Sequence, residues 1–228
     1  MALIFPFDPD IRRAATVPSR LYIDPVYLAL EEDKVFGRTW QLVGRVDQVA
    51  AAGQYFTADV GSESVVVVRD GAALRGFHNI CLHRAGPVAE GCGKRQTLQC
   101  RYHGWTYRLN GELLNAPEME DAIDFTADAM KLMPIQVATW GPLVFANLDL
   151  KAPSLEHFFE DIAARSSRFA VTTMKYVGSK AWRIACNWKV YVDNYLEGYH
   201  IPLVHPALHK ELEYDQYRVD LHRYYSVQ

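Results

Sequence analysis

Between about residues 38 and 150 the hydrophobic positions come in short runs separated by turn residues, the texture of strands rather than helices. "SVVVV" at 64–68 is followed by Asp70-Gly71 and then "ALRGFHN", which predicts a hairpin with a primed turn. "WTYRLNGELLN" repeats the idea with Asn110-Gly111 at its tip, and "WGPLVFANLD" (140–149) predicts a strand after a Gly-Pro turn. On either side of this all-β module the period lengthens. Ahead of it, "DPVYLALEEDKVFGRTW" predicts a helix capped by Asp24, with Pro25 in its first turn and Glu31 to Phe36 carrying it on. After Pro153, "SLEHFFEDIAARSSRF" puts Leu155, Phe158, Phe159 and Ile162 on one helical face behind a Ser154 cap. "KYVGSKAWRIA" (175–185) then predicts a strand, and "NWKVYVDNYLEGYH" (187–200) a helix with a mixed polar stripe. There is no internal repeat or low-complexity linker, and Lys151-Ala152-Pro153 marks the best boundary. The expected segments are 1–37, 38–150 and 151–228, an α+β chain with an all-β centre.

Composition narrows the function classes. The 228 residues are 50% hydrophobic and 12% aromatic, ample for a packed core. A net charge of −3 with scattered basic residues argues against nucleic acid as a partner. The most apolar stretch, "VATWGPLVFANLDL", is interrupted by Gly141, Pro142 and Asp149, so no membrane span is expected. The start, "MALIFPFDPD", lacks a basic n-region and does not read as a secretory signal. A cytoplasmic protein is the expectation, and there four cysteines are thiols or metal ligands rather than disulfides.

The chemistry concentrates in two loops. "CLHRAG" (81–86) and "CRYHGW" (100–105) each hold one cysteine and one histidine. As a zinc site, Cys81, His83, Cys100 and His103 would form a Cys2His2 set, but such sites usually take their ligands in like pairs. As ordinary residues, they would be core cysteines beside unrelated histidines. A Rieske-type [2Fe-2S] cluster accounts for the mixing, because one iron takes two thiolates and the other two imidazoles. Two loops clasping it from opposite sides must each give one ligand to each iron. Gly86-Pro87 and Gly104 supply tight turns beside the ligands, and Tyr102 and Trp105 are placed to shield the cluster from water.

A second constellation lies at 187–205. On one helix Asp193, Glu197 and His200 would fall at i, i+4 and i+7, with His205 following after Pro202 breaks the helix. Alone, an H-x4-H pair reads as two ordinary histidines. Beside an electron relay it reads as two ligands of a mononuclear Fe(II) whose third ligand is a carboxylate.

These motifs resemble the Rieske non-haem iron oxygenase α subunits, and the resemblance runs over nearly the whole chain. "WQLVGRVDQVAAAGQYFTADVGSESVVVVRDG" is similar to the run-in to that family's Rieske module. Arg84 after His83 is typical of the oxygenase branch, and the extra loop cysteines of respiratory Rieske proteins are missing here. The resemblance implies an N-terminal segment (1–37) packing on the catalytic domain, a Rieske domain (38–150) and part of a helix-grip-like catalytic domain (151–228). It implies that Glu197 links cluster and iron across a subunit interface, hydrogen-bonding His103 of a neighbouring copy and His200 of its own. Glu within "DNYLEGYH" is similar to the branch that oxidises quaternary ammonium compounds, and Asn194 matches a polar residue near the iron in some members. The implied partners are an NAD(P)H-dependent reductase or ferredoxin, O2 and a small organic substrate, in a homotrimer. The implied third ligand lies beyond residue 228. Glu211, Glu213, Asp215 and Asp220 read as a solvated face, and Cys92 and Cys186 as plain buried or half-buried thiols. The alternative is a Rieske ferredoxin-like electron carrier, which would need only the β module.

Overall fold

Four consecutive valines set the layering of the β module. In the computed structural model, which describes residues 8–228, Val65, Val66, Val67 and Val68 are all fully buried. A strand points successive side chains to opposite faces, so such a run requires cover on both. Val66 and Val68 share a core with Tyr55, Phe77, Leu98 and Tyr107, whereas Val67 packs with Val49, Phe56 and Val144 on the other side.

The chain opens with α1 (Arg20–Ile23) and α2 (Pro25–Glu31). Strands β1 (Gln41–Arg45), β2 (Gln54–Val60), β3 (Glu63–Asp70), β4 (Ala73–His78) and β5 (Cys92–Lys94) follow. Next come β6 (Thr97–Gln99), β7 (Thr106–Arg108), β8 (Leu113–Asn115), β9 (Pro134–Trp140) and β10 (Leu143–Asn147). The remainder holds α3 (Leu155–Phe159), α4 (Ile162–Arg165), α5 (Trp188–Tyr195), α6 (Ile201–Val204), α7 (Pro206–Glu211), β11 (Asp220–Leu221) and β12 (Ser226–Val227). The described residues fall into two compact units, one of residues 31–179, the other of 180–228 with the residues up to Leu30.

In the unit of 31–179, a seven-stranded antiparallel sheet has the order β1-β10-β9-β4-β3-β2-β5, and β6-β7-β8 make a second sheet. Leu98, Tyr107 and Leu113 of the small sheet bury against Val66, Val68 and Phe77 of the large one. That places the loop before β5 and the β6–β7 loop over one core. The predicted hairpins are present. Asp70 pairs with Ala73, so Gly71 (φ 58°) and Ala72 form the first tip, one residue later than read from the sequence. Gly111 (φ 90°) turns the second, and Gly141 with Pro142 joins β9 to β10.

Three helical readings need correction. The first helix forms behind Asp24, whose carboxylate accepts from the Val26 N–H at 3.0 Å, but it widens into a π-helix over Glu32–Phe36. The helix after Ser154 starts as expected, with Ser154 Oγ accepting from the His157 N–H, and then breaks. Glu160 takes a left-handed φ of 51°, so the run splits into α3 and α4. The helix over 187–200 ends early, at Tyr195. The strand predicted over 175–185 is not formed. Among the described residues no neighbouring strand offers it a ladder, and Val177, Trp182 and Ile184 stay exposed. In the second unit the Tyr22 hydroxyl donates to the Asp193 carboxylate, tying α1 to α5. The opening stretch read as lacking a secretory signal lies in part, at residues 1–7, outside the described residues. Among the described residues no helix is long and apolar enough to cross a membrane.

Candidate functional site

Both ligand-type loops are closed by their own backbones. The Cys81 N–H donates to Gly86 O at 2.8 Å and the Ala85 N–H to Cys81 O at 2.9 Å, with Ala85 at a left-handed φ of 56°. Loop 100–105 is the tip of the β6–β7 hairpin. There the Cys100 N–H donates to Trp105 O and the Gly104 N–H to Cys100 O, both at 3.0 Å, and Gly104 holds φ 76°. A side chain on Gly86 would approach the Cys100 sulfur to 3.0 Å, so this glycine lets the two loops meet.

Two residues that sequence reasoning did not single out anchor the first loop. Asn79 is 4% exposed. Its Oδ1 accepts from the Val88 and Ala89 N–H groups at 3.0 Å each, and its Nδ2 donates to Ala89 O at 2.9 Å and Ser64 Oγ at 3.2 Å. Tyr107 is fully buried, and its oxygen accepts from the Leu82 N–H at 3.0 Å. Its hydroxyl lies 3.3 Å from the Cys81 sulfur. Burial, and then the contact with Cys81, pushes the phenol well up, so it remains protonated beside the sulfur, and either group can donate across that contact. An asparagine two positions before Cys81, at the end of a strand-type run, was the available clue to Asn79.

The four expected ligands separate into two chemically distinct pairs. Cys81 and Cys100 are free thiols, 2% and 3% exposed, in the core shared with Trp105 and Tyr107. His83 and His103 lie with ring centroids 4.5 Å apart on a cavity of about 320 Å³, also lined by Pro117, Glu118 and Met119. Trp105, almost fully buried, stacks on His83 at 5.1 Å, and the exposed Tyr102 leans over His103 at 3.8 Å. The Nδ1 atom of His83 is buried without a hydrogen-bond partner. Burial, and then the charges of His103 and Arg84, hold this imidazole below its ordinary value. It is therefore neutral, the form that binds metal. A buried ring nitrogen with no partner is costly unless something fills the place. Buried sulfurs and a neutral, unpaired imidazole fit a [2Fe-2S] cluster.

The second constellation is assembled by a turn, not by one helical face. Asn187 caps α5 by accepting from the Lys189 N–H at 3.1 Å. The helix ends before Glu197, so only Asp193 of the predicted stripe is helical. Glu197 Oε2 accepts from the Tyr199 and His200 N–H groups at 2.6 and 3.2 Å, opening a new helical start for α6. Pro202 then sits in the first turn of α6, where its missing N–H costs nothing, so it is not the breaker. Glu197 Oε1 meets His200 Nδ1 at 2.5 Å, and the His200 and His205 ring centroids are 5.3 Å apart. Burial raises the Glu197 carboxyl, but bonds from the His200 ring and from the two N–H groups outweigh it and hold it below the usual range. Asn194 is exposed on α5, and Glu211, Glu213, Asp215 and Asp220 are exposed as well. Cys92 and Cys186 are also exposed rather than core thiols. Among the described residues no three His, Cys, Asp or Glu side chains gather where one ion could touch them all.

Residues 39–139 match the family described as Rieske [2Fe-2S] domain, and residues 171–226 match the ring hydroxylating alpha subunit catalytic domain. The chain thus carries a Rieske [2Fe-2S] domain followed by part of a ring hydroxylating alpha subunit catalytic domain. A chloroplastic choline monooxygenase of Atriplex hortensis is 35% identical over 96% of this chain and 52% of its own length. The carnitine monooxygenase oxygenase subunit of Escherichia coli K12 is 32% identical over 97% of this chain and 60% of its own. A solved quaternary ammonium Rieske monooxygenase, described with inter-subunit electron transfer, superposes with a TM-score of 0.85 at 28% identity. It covers 93% of this chain and 60% of its own. The chain thus spans between half and three fifths of these relatives.

Proposed function

We propose that this protein is the oxygenase component of a Rieske system that hydroxylates or oxidatively demethylates a small organic substrate. In this reading Cys81 and Cys100 hold one iron of the cluster, and His83 and His103 the other. His200 and His205 are two ligands of the mononuclear Fe(II). The Rieske domain is 38–150, flanked by the helical segment 1–37 and the catalytic portion 151–228. When bound, the cluster supplies one-electron transfer and the mononuclear iron activates O2.

The chain's own residues prepare both places. Asn79 and the closed loops hold the Cys-His pairs in position before any metal arrives. Tyr107 holds its hydroxyl beside the Cys81 sulfur. Trp105 keeps water from one face of His83. Glu197 engages Nδ1 of His200 and so leaves Nε2 as its free donor, and the same carboxylate is offered to His103 of a neighbouring copy. Asn194, exposed on α5, is the candidate polar residue near the iron. Electrons come from an NAD(P)H-dependent reductase or ferredoxin, and a homotrimer supplies the interface. The choline and carnitine oxygenases among the relatives support a quaternary ammonium substrate over an arene.

The observation that carries this reading is the split of four donors into buried thiols and cavity-facing imidazoles. One zinc ion needs four donors around a single point, whereas each cluster iron takes two from the protein. The test is the visible spectrum of anaerobically prepared variants. His83→Ala and His103→Ala should lose the cluster absorption, while His200→Ala keeps it and loses mononuclear iron. A spectrum unchanged in the first two variants would remove those residues from the ligand set. An electron carrier without an iron site is disfavoured by the match over 171–226.

A further inference from the structure

Gly198 stands between Glu197 and the two N–H groups that its carboxylate captures, and it is buried. A Cβ placed there would fall against the Tyr217 ring, 2.5 Å from Cε1 and 2.7 Å from Oη. Those distances are far inside van der Waals contact, so ring and glycine occupy complementary space. The same turn is held from a second direction, because the Tyr214 hydroxyl donates to Gly198 O at 3.2 Å. Tyr214 and Tyr217 stack at 5.9 Å, and His209 meets Tyr214 edge-on at 5.1 Å. Tyr217 lies twenty positions after Glu197, so this packing is a tertiary brace and not a local turn preference.

We propose that Tyr217 is a positioning residue for His200: its ring, seated on Gly198 and backed by Tyr214, fixes the turn in which Glu197 grips the imidazole. The inference rests on the reading of His200 and His205 as metal ligands and deepens it by naming what orients the first of them. Without the ring, only the Tyr214 bond still restrains the peptide at Gly198, because glycine has no side chain to limit it. Glu197 then loses its fixed path to Nδ1, and the tautomer and direction of His200 are no longer set. The ring acts on this turn by its shape, since the Tyr217 hydroxyl donates to Gln228 Oε1 at 2.5 Å, whereas the Tyr214 hydroxyl holds Gly198 O itself.

The test uses the full chain with two readouts. Histidine-selective 15N NMR of the metal-free protein reads the Nδ1 bond of His200 directly. Co(II) titration, followed by its visible bands, reads the affinity of the histidine pair. Tyr217→Phe should match wild type in both. Tyr217→Ala and Gly198→Ala should each lose the Nδ1 signature and weaken Co(II) binding by about 10- to 100-fold, the range for removing a ligand's orienting partner. The double variant Gly198→Ala/Tyr217→Ala should bind better than the product of the single losses predicts, because the added methyl then has room. The Rieske-region amide signals serve as the folding control. An intact Nδ1 signature in Tyr217→Ala, or a loss in Tyr217→Phe equal to that in Tyr217→Ala, would overturn the proposal. Wild type that shows the signature but takes up no Co(II) would instead sink the metal-site reading and leave the positioning role standing.

Discussion

Replacing Asn79 by alanine should cost more stability than any other single polar substitution in the β module. The side chain makes four hydrogen bonds, and three of the partner groups belong to Val88 and Ala89, which are 0% and 3% exposed. Truncation leaves two N–H groups and one carbonyl buried and unpaired. Each such group costs about 1–3 kcal/mol, and relaxation of the loop recovers part of it, so a loss of about 3–5 kcal/mol is expected. For a chain of this size that corresponds to a fall in Tm of roughly 6–20 °C, at about 2–4 °C per kcal/mol. Asn79→Asp should fall between wild type and alanine. It keeps the acceptor for both N–H groups but turns a carboxylate oxygen toward Ala89 O. Thermal melting followed by circular dichroism, with all three proteins in one buffer, is the assay. A drop in Tm below about 2 °C for Asn79→Ala would mean that water or a shifted loop satisfies the freed groups. The account of how the first ligand loop is held would then be wrong.

Three further substitutions or conditions probe other contacts. Tyr107→Phe removes the partner of the Leu82 N–H and the hydroxyl beside the Cys81 sulfur, and should cost about 1–3 kcal/mol by chemical denaturation. It should also lower the potential of the bound cluster in protein-film voltammetry, since hydrogen bonds to cluster sulfurs raise it. Gly44→Ala would drive a methyl to 2.5 Å from Cζ of the buried Phe56 ring, so a loss of about 1–3 kcal/mol is expected in the same denaturation series. The Glu197–His200 contact should follow pH with a definite sign. Because the folded carboxyl lies below its ordinary value, the contact is complete above the usual carboxylate range. It is lost only as pH falls through the lowered value, and a pH series of histidine NMR spectra checks this. Loss beginning above about pH 5 would contradict it.

Much of the β module was legible because its local rules agree. Asp70-Gly71, Asn110-Gly111 and Gly141-Pro142 each punctuate a hairpin, and the alternation of Val65 to Val68 fits a strand covered on both faces. The loop residues were legible as chemistry because few folds place one cysteine and one histidine in each of two tight turns. The helical regions were harder. Periodicity alone carried α3 through Glu160 and α5 through His200, yet a left-handed residue stops the first. In the second, a carboxylate that captures the next two N–H groups starts a new turn. Both are side-chain or backbone events that a hydrophobic period does not register. The strand expected at 175–185 failed for a different reason, since a strand exists only where a neighbour pairs with it. Tyr217 was invisible for the same kind of reason, because its partner Gly198 lies nineteen positions earlier in the chain.

The central claim is that the two mixed pairs hold a [2Fe-2S] cluster. The most direct measurement is iron and acid-labile sulfide per chain on anaerobically purified protein, with an EPR spectrum after reduction. The account predicts two sulfides and at least two irons per chain, with a Rieske-type signal, and a third iron where the His200–His205 pair is loaded. Zinc in place of iron, with no sulfide and no signal, would contradict it.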